Sequence, residues 1–256
     1  MDFIFSSEAI SALITLTFLE IVLGIDNLLF ISIITQKLAL NQQKLASNIG
    51  LFLAMLLRIV LLFGISVVVQ MQSSFISINN SWLKTEINGQ AIILVLGGLF
   101  LLYKSTHEIF EKIENDSSDD KKSTVKISLS KAITQITILN IVFSFDSILT
   151  AVGMTNGIPN ALPIMIISIL VSVGIMMVFM KSVSDFIQKH PSLQILGLSF
   201  LILIGFMLIT EGAHISQTVI FDNEVGTIPK GYLYFAISFS LGIELLNMKM
   251  KKKKLN

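Results

Sequence analysis

Long apolar blocks separated by polar connections dominate the sequence. The blocks run approximately over residues 8–35, 48–70, 90–110, 129–156, 161–184, 193–211 and 230–248. Each is close to or above the roughly 20 residues that an α-helix needs to cross a bilayer. Helices and closed barrels alone satisfy their backbone inside a bilayer, and these blocks are too long and continuous for barrel strands. The pattern predicts an all-α membrane protein with seven transmembrane helices.

The composition agrees with a membrane protein. Of the 256 residues, 53% are hydrophobic and 14% are charged, and the mean hydropathy is +0.81. A soluble domain carries nearer a quarter of charged residues, so a soluble enzyme is a poor alternative. The lipid bilayer is the expected partner and nucleic acid is not. The absence of cysteine excludes a zinc–thiolate site and thiol redox chemistry, and no permanently bound cofactor is expected.

The lysines lie mainly in alternate connections, which favours one orientation. Cytoplasmic loops of membrane proteins carry an excess of Lys and Arg. With the N-terminus outside, only Lys84 and Lys230 fall in outer connections. The inner connections and tail then hold Lys37, Lys44, Lys112, Lys121, Lys122, Lys126, Lys131, Lys181, Lys189, Lys249 and Lys251–Lys254. We therefore expect the N-terminus outside and the C-terminus in the cytoplasm.

Two segments of the sequence recur, which indicates an internal repeat. Residues 19–29 (LEIVLGIDNLL) resemble residues 139–149 (LNIVFSFDSIL), and residues 98–107 resemble residues 205–214. The matches define repeat one at about 8–110, a linker at about 111–128, repeat two at about 129–211 and an extra helix at about 230–248. Because each unit has three helices, the second must insert inverted, as in many secondary transporters, whose site lies where the repeats meet. An old duplication in a non-transporting protein is the alternative.

Two aspartates lie deep within predicted helices. An ionisable group in a membrane helix is costly unless it faces a partner or a cavity. Asp26 and Asp146 occupy the same position in both repeats, and each precedes a small polar residue, Asn27 or Ser147. Carboxylate, amide and hydroxyl oxygens suit a hard divalent cation. The aspartates are therefore candidate ligands, and the alternative is that Glu20 or Asp26 merely pairs with Arg58 or Lys104 and holds helices together.

Other ionisable residues are open to two interpretations. Glu20 lies about 120° around an ideal helix from Asp26, so both bind one ion only if Gly24 permits a distortion; otherwise Glu20 faces a neighbour such as Arg58. Two further pairs are spaced i, i+3 and so share a helix face. They form a candidate proton or ion relay, unless they simply reach the membrane interface. These pairs are Lys104 with His107 and Glu211 with His214.

The two signature segments, Leu19-Glu20-Ile-Val-Leu-Gly-Ile-Asp26-Asn27 and Val142-Phe-Ser-Phe-Asp146-Ser147, resemble those of the TerC family of bacterial membrane proteins, in its short branch without appended cytoplasmic domains. The resemblance implies a seven-helix fold related to the LysE-type exporters and a role in manganese export. It also implies that Asp26, Asp146 and Glu20 are the family's intramembrane acids. Asn140 departs from the pattern, because relatives often have an acid there; an Asn keeps an oxygen ligand but loses a charge.

These observations predict a transporter of divalent metal cations in the bacterial inner membrane, most simply an exporter of Mn²⁺. The substrate ligands would be Asp26, Asp146, Glu20, Asn27, Asn140 and Ser147. No P-loop and no nucleophile–base arrangement are present, so neither ATP use nor enzymatic activity is expected. The alternatives are an exporter of small organic solutes and a non-transporting scaffold for metalation or stress resistance, including tellurium resistance. A homo-oligomer is an open alternative to a monomer.

Overall fold

The structure, a computed structural model, describes residues 7–64, 70–117, 127–155, 158 and 161–254, with the backbone alone at 26, 115–117, 146, 149 and 251–254. Its helices are α1 (Ser7–Thr35), α2 (Leu40–Phe63), α3 (Gly89–Ser117), α4 (Leu129–Met154), α5 (Ala161–Lys189), α6 (Pro191–Ile215) and α7 (Lys230–Lys254). Its strands are β1 (Ser74–Asn79), β2 (Leu83–Asn88), β3 (Val219–Ile220) and β4 (Asn223–Glu224).

The described helices confirm an all-α membrane protein in its main elements. Six of them, α1 to α6, are long and apolar enough to cross a bilayer. The seventh predicted helix forms as α7, but it is not among these six. Its apolar stretch is interrupted by polar residues and passes directly into the lysine-rich tail.

Several helices extend beyond the apolar blocks that predict them. Helix α2 begins at Leu40 rather than near residue 48, and α3 continues to Ser117, into the predicted linker 111–128. Residues 118–126 of that linker lie outside the described part. An apolar block ends where the sequence becomes too polar for the bilayer, whereas a helix continues until its backbone hydrogen bonding is interrupted. The ends of the blocks and the ends of the helices therefore differ.

The chain forms two compact units. The first comprises residues 1–70 and 122–186 and contains α1, α2, α4 and most of α5. The second comprises residues 71–121 and 187–256 and contains the strands with α3, α6 and α7. Each unit therefore takes helices from both predicted repeats, so the compact units alternate along the chain and do not coincide with the repeats.

A small antiparallel sheet lies in the second unit, at segments whose polar residues predict only connections between helices. Its strand order is β1-β2-β3-β4. Asn79 pairs with Lys84 across the first hairpin, and Leu83 pairs with Ile220 to join β2 to β3. Burial alternates along β2, which is typical of a half-buried strand, whereas β1 is exposed at five of its six residues. The sheet corrects the all-α prediction at this place.

The most extensive helix contact in the second unit joins α3 to α6, which run antiparallel. Asn88, the last residue of β2, donates its side-chain amide to the backbone oxygen of Ile215 at 3.1 Å. Farther along, a Cβ on Gly212 would lie 3.0 Å from the oxygen of Ala91. The sheet thus fixes the register of the two helices at the end where they meet it.

Candidate cation site in the first unit

Helices α1 and α4 pack against each other in the first unit and carry the two repeated aspartates. The backbone is helical at both positions, while the side chains of Asp26 and Asp146 lie outside the described part. The residues that follow them are described: Asn27 is 4% exposed and Ser147 is 2% exposed. Both aspartates therefore precede a buried, oxygen-bearing side chain, as the repeat predicts.

Three polar side chains of α4 donate hydrogen bonds to backbone carbonyl oxygens. The side-chain amide of Asn140 donates to the backbone oxygen of Gly50 on α2 at 3.1 Å. The hydroxyl of Ser144 donates to the oxygen of Asn140, and that of Ser147 donates to the oxygen of Ser144. Each donor is thereby satisfied inside the apolar bundle, which unpaired polar groups would destabilise.

This arrangement keeps oxygen lone pairs available as ligands. The amide of Asn140 must turn its nitrogen toward the Gly50 carbonyl, so its side-chain oxygen is the atom left to accept. A serine hydroxyl that donates to its own helix likewise retains lone pairs on Oγ. Asn140 and Ser147 can therefore contribute neutral oxygen ligands to a cation.

Glu20 forms a buried ion pair with Arg58. The Nη1 atom of Arg58 on α2 lies 2.5 Å from Oε2 of Glu20 on α1, and both residues are 1% exposed. Within the described part of the chain, Nε of Arg58 has no hydrogen-bond partner, so the guanidinium retains a donor for a second acceptor. Of the two alternatives for Glu20, the pair with Arg58 is the one that the structure contains.

Gly24 allows close packing rather than a break in α1. The helix continues without interruption from Ser7 to Thr35. A Cβ at residue 24 would overlap the sulfur of Met176 on α5, so only glycine fits unless that side chain moves. In an unbroken helix, Glu20 stays about 120° from position 26, which agrees with its pairing toward α2.

The four residues of the predicted relay are not brought together. Lys104 lies 2.5 Å from Glu108, and His107 lies 3.2 Å from Glu111 on an exposed face of α3. Because α3 and α6 cross antiparallel near Gly98, His107 and His214 extend in opposite directions, and the helical rise separates them by about 27 Å. His214 is exposed and contacts the backbone oxygen of Val225 at 3.2 Å, and Glu211 is half-buried.

No group of three His, Cys, Asp or Glu side chains converges within the described residues.

Sequence reasoning also missed two features. The role of Glu108 as the buried partner of Lys104 could have been found from its i, i+4 spacing. A row of hydroxyl residues on α1, at Ser7, Ser11 and Thr15, could have been found from the same spacing and is discussed below.

Comparison with known proteins identifies a family and several relatives. Residues 5–255 match the model of the integral membrane protein TerC family. The chain is 41% identical to a UPF0053 protein of Haemophilus influenzae, over 98% of each chain. It is 43% identical to the UPF0053 inner membrane protein YgdQ of Escherichia coli K12, over 94% of this chain and 93% of the relative.

Longer relatives contain this chain as one part. The UPF0053 inner membrane protein YoaE of Escherichia coli K12 is 38% identical over 96% of this chain, but that match covers 44% of YoaE. No solved structure matches the chain.

Proposed function

The chain belongs to the TerC family of integral membrane proteins, and we propose that it transports divalent metal cations, Mn²⁺ in particular, outward across the bacterial inner membrane. One observation carries the proposal. The acidic positions 26 and 146 are equivalent in the sequence repeat, lie in helices α1 and α4 that pack within one unit, and each precede a buried oxygen-bearing residue.

The charges of these helices fit a divalent cation. Away from their ends, α1, α2 and α4 carry Glu20, Asp26 and Asp146 against the single cation Arg58. Arg58 compensates Glu20, and the formal charge that remains on these three helices is −2, from positions 26 and 146. An uncompensated charge within a membrane costs several kcal/mol or more, so a bound cation of charge +2 would stabilise this set. Asn27, Asn140 and Ser147 would add neutral oxygen ligands, and Mn²⁺ accepts oxygen ligands of this kind.

We further propose seven membrane-spanning helices arranged as two inverted three-helix repeats with α7 as the extra helix. Two observations support this arrangement. Each compact unit contains equivalent helices of both repeats. Gly98 and Gly205, which the sequence repeat makes equivalent, contact each other reciprocally, as expected on a two-fold axis. Alternating access would then come from movement of one set of helices against the other.

The distribution of lysines favours an N-terminus outside and a cytoplasmic C-terminus. The relative YgdQ is named an inner membrane protein, which supports the same membrane for this chain. Outward transport would therefore carry Mn²⁺ from the lysine-rich side of the protein.

The experiment is uptake of ⁵⁴Mn²⁺ into inside-out vesicles containing the intact protein, Asp26→Asn, Asp146→Asn or Asp185→Asn. Asp185 is an exposed aspartate of α5, so its variant is the matched control. We expect the control to transport as the intact protein does and each of the other two to lose at least tenfold in uptake. Detergent size-exclusion chromatography establishes that every variant remains folded.

Three outcomes would contradict the proposal. Intact protein that gives no uptake above empty vesicles, with or without a proton gradient, would exclude Mn²⁺ export. Competition by small organic solutes but not by divalent cations would indicate a solute exporter. Aspartate variants that fail to fold, beside an intact protein without uptake, would indicate structural ion pairs in a scaffold.

A further inference from the structure

A cavity of about 550 Å³ lies in the first unit, between the beginning of α1 and the end of α4. Its polar lining comes from α1, at Ser7, Glu8, Ser11 and Thr15, and its apolar lining comes from Ala12, Leu16, Met154 and Ile158. A cavity with a carboxylate and three hydroxyl groups offers hydrogen bonds to water that lipid chains cannot use. The lining therefore indicates a space filled by water.

The exposed surface of α1 is divided into two adjacent stripes. Ser7, Ser11 and Thr15 recur every four residues along the cavity. The neighbouring stripe is apolar, with Ile10, Ile14 and Phe18 exposed by 43%, 64% and 68%. Consecutive residues are about 100° apart on a helix, so the stripes lie side by side. Large exposed apolar side chains suit lipid, and the hydroxyl stripe beside them does not, so one helix borders two different environments.

The cavity lies beside α1 and α4, the two helices that carry the aspartates. It is located where α1 begins and α4 ends. Position 26 is about 16 Å along α1 from Thr15 and only about 20° around an ideal helix. Position 146 is about 12 Å along α4 from Met154. The hydroxyl stripe thus leads along α1 toward the helical level of the proposed cation site. With the N-terminus outside, the cavity opens on the outer side of the membrane.

We propose that this cavity is a water-filled outer vestibule through which a hydrated divalent cation leaves the site, an inference that rests on the proposed function for the identity of the ion. Glu8 lies at the outer end and raises the local concentration of cations. Ser11 and Thr15 supply oxygen atoms that exchange with the hydration shell of the ion along the helix.

The chain contains no cysteine, so single substitutions report accessibility without background labelling. The test variants are Ser11→Cys and Thr15→Cys, and the matched controls are Ile14→Cys and Phe18→Cys on the adjacent stripe. Right-side-out vesicles are treated with a membrane-impermeant, water-soluble thiol reagent. We expect residues 11 and 15 to react at least tenfold faster than residues 14 and 18.

Glu8 is tested by the charge of the reagent. We expect a cationic methanethiosulfonate to modify Thr15→Cys faster than an anionic one of similar size, and Glu8→Gln to reduce that ratio severalfold. Size-exclusion chromatography and thermal unfolding establish that the variants are folded. An unchanged ratio would remove Glu8 from the proposal.

Equal reactivity in both stripes would overturn the vestibule, because the hydroxyl stripe would then be no more accessible to water than the apolar stripe. Labelling only after permeabilisation would also overturn it, since the cavity would then open to the cytoplasm. The labelling does not require transport, so its failure is distinguishable from failure of the Mn²⁺ experiment. Fast labelling in a protein without Mn²⁺ uptake would show that the cavity contains water, but would exclude it as an exit for Mn²⁺.

Discussion

Gly98 on α3 and Gly205 on α6 approach each other so closely that neither position has room for a side chain. A Cβ on Gly98 would lie 2.6 Å from the backbone oxygen of Gly205, and a Cβ on Gly205 would lie 2.9 Å from the backbone oxygen of Gly98. Small residues permit such contacts between membrane helices, where dispersion and close packing replace the hydrophobic effect as the source of association. The contact links two residues that the sequence repeat makes equivalent.

Replacing either glycine by alanine should separate α3 from α6. Each new methyl group would meet a backbone carbonyl, which cannot rotate away as a side chain can. We expect Gly98→Ala and Gly205→Ala each to destabilise the protein by about 1–3 kcal/mol, the cost typical of overpacking. Thermal unfolding in detergent, followed by size-exclusion chromatography, measures this loss.

Gly242→Ala is the control for these variants. Gly242 lies in α7 of the same unit, and a Cβ there would meet nothing within 4 Å. Alanine favours a helix over glycine by about 0.5–1 kcal/mol, so this variant should be neutral or slightly stabilised. Equal melting temperatures for all three variants would contradict the close contact.

Much of this fold follows from the sequence because a bilayer imposes simple requirements. The apolar blocks predict the positions of α1 to α7 since each spanning segment must satisfy its own backbone. The pairing of Glu20 with Arg58 was an explicit alternative, because a buried acid requires a partner. The Gly98–Gly205 contact could not be predicted as such, since the repeat relates the two residues without revealing that they touch.

The sheet and the vestibule depend on tertiary context. The strands β1 and β2 are only six residues long each, and the pairing of β2 with β3 joins parts of the chain that are distant in sequence. Likewise, the spacing of Ser7, Ser11 and Thr15 is compatible with hydroxyl groups bonded to their own helix. The position of α4 is what makes that stripe one side of a cavity.

The Glu20–Arg58 pair should behave as one energetic unit. Removing one partner leaves the other as an uncompensated buried charge, so Glu20→Gln and Arg58→Gln should each cost about 3–5 kcal/mol. The double variant leaves no charge and should lose clearly less than the sum of the two. Thermal unfolding of the four proteins in a double-mutant cycle measures the coupling. Additive losses would contradict the pairing.

The same double variant separates two roles of Glu20. If Glu20 only pairs with Arg58, the charge of the remaining set is unchanged and the folded double variant should retain Mn²⁺ uptake within about threefold, since only a neutral pair is replaced. A folded double variant as inactive as Asp26→Asn would instead indicate that Glu20 is itself a ligand. The vesicle assay for the aspartates serves as the measurement.

Asn140 should not accept a negative charge without loss of stability. Its amide donates to the oxygen of Gly50, and a carboxylate there could only oppose that oxygen. We expect Asn140→Asp to destabilise the protein by about 1–3 kcal/mol at neutral pH, the cost of a buried group that loses its partner. Asn41→Asp is the control, because Asn41 is exposed in the first turn of α2, where an acid is favourable. Unchanged unfolding of Asn140→Asp would show that the Gly50 contact contributes nothing.

The predicted relay on α3 can be tested by comparing its two ion pairs. Lys104 pairs with Glu108, whose side chain is 5% exposed, whereas His107 and Glu111 are 48% and 36% exposed. Lys104→Met should therefore destabilise the protein by about 3 kcal/mol, because it removes the positive charge that lies 2.5 Å from a buried carboxylate. His107→Gln should leave both stability and Mn²⁺ uptake nearly unchanged, since an exposed pair contributes about 1 kcal/mol at most. Loss of uptake in a folded His107→Gln protein would support a relay through this histidine, despite its position on the exposed face of the helix.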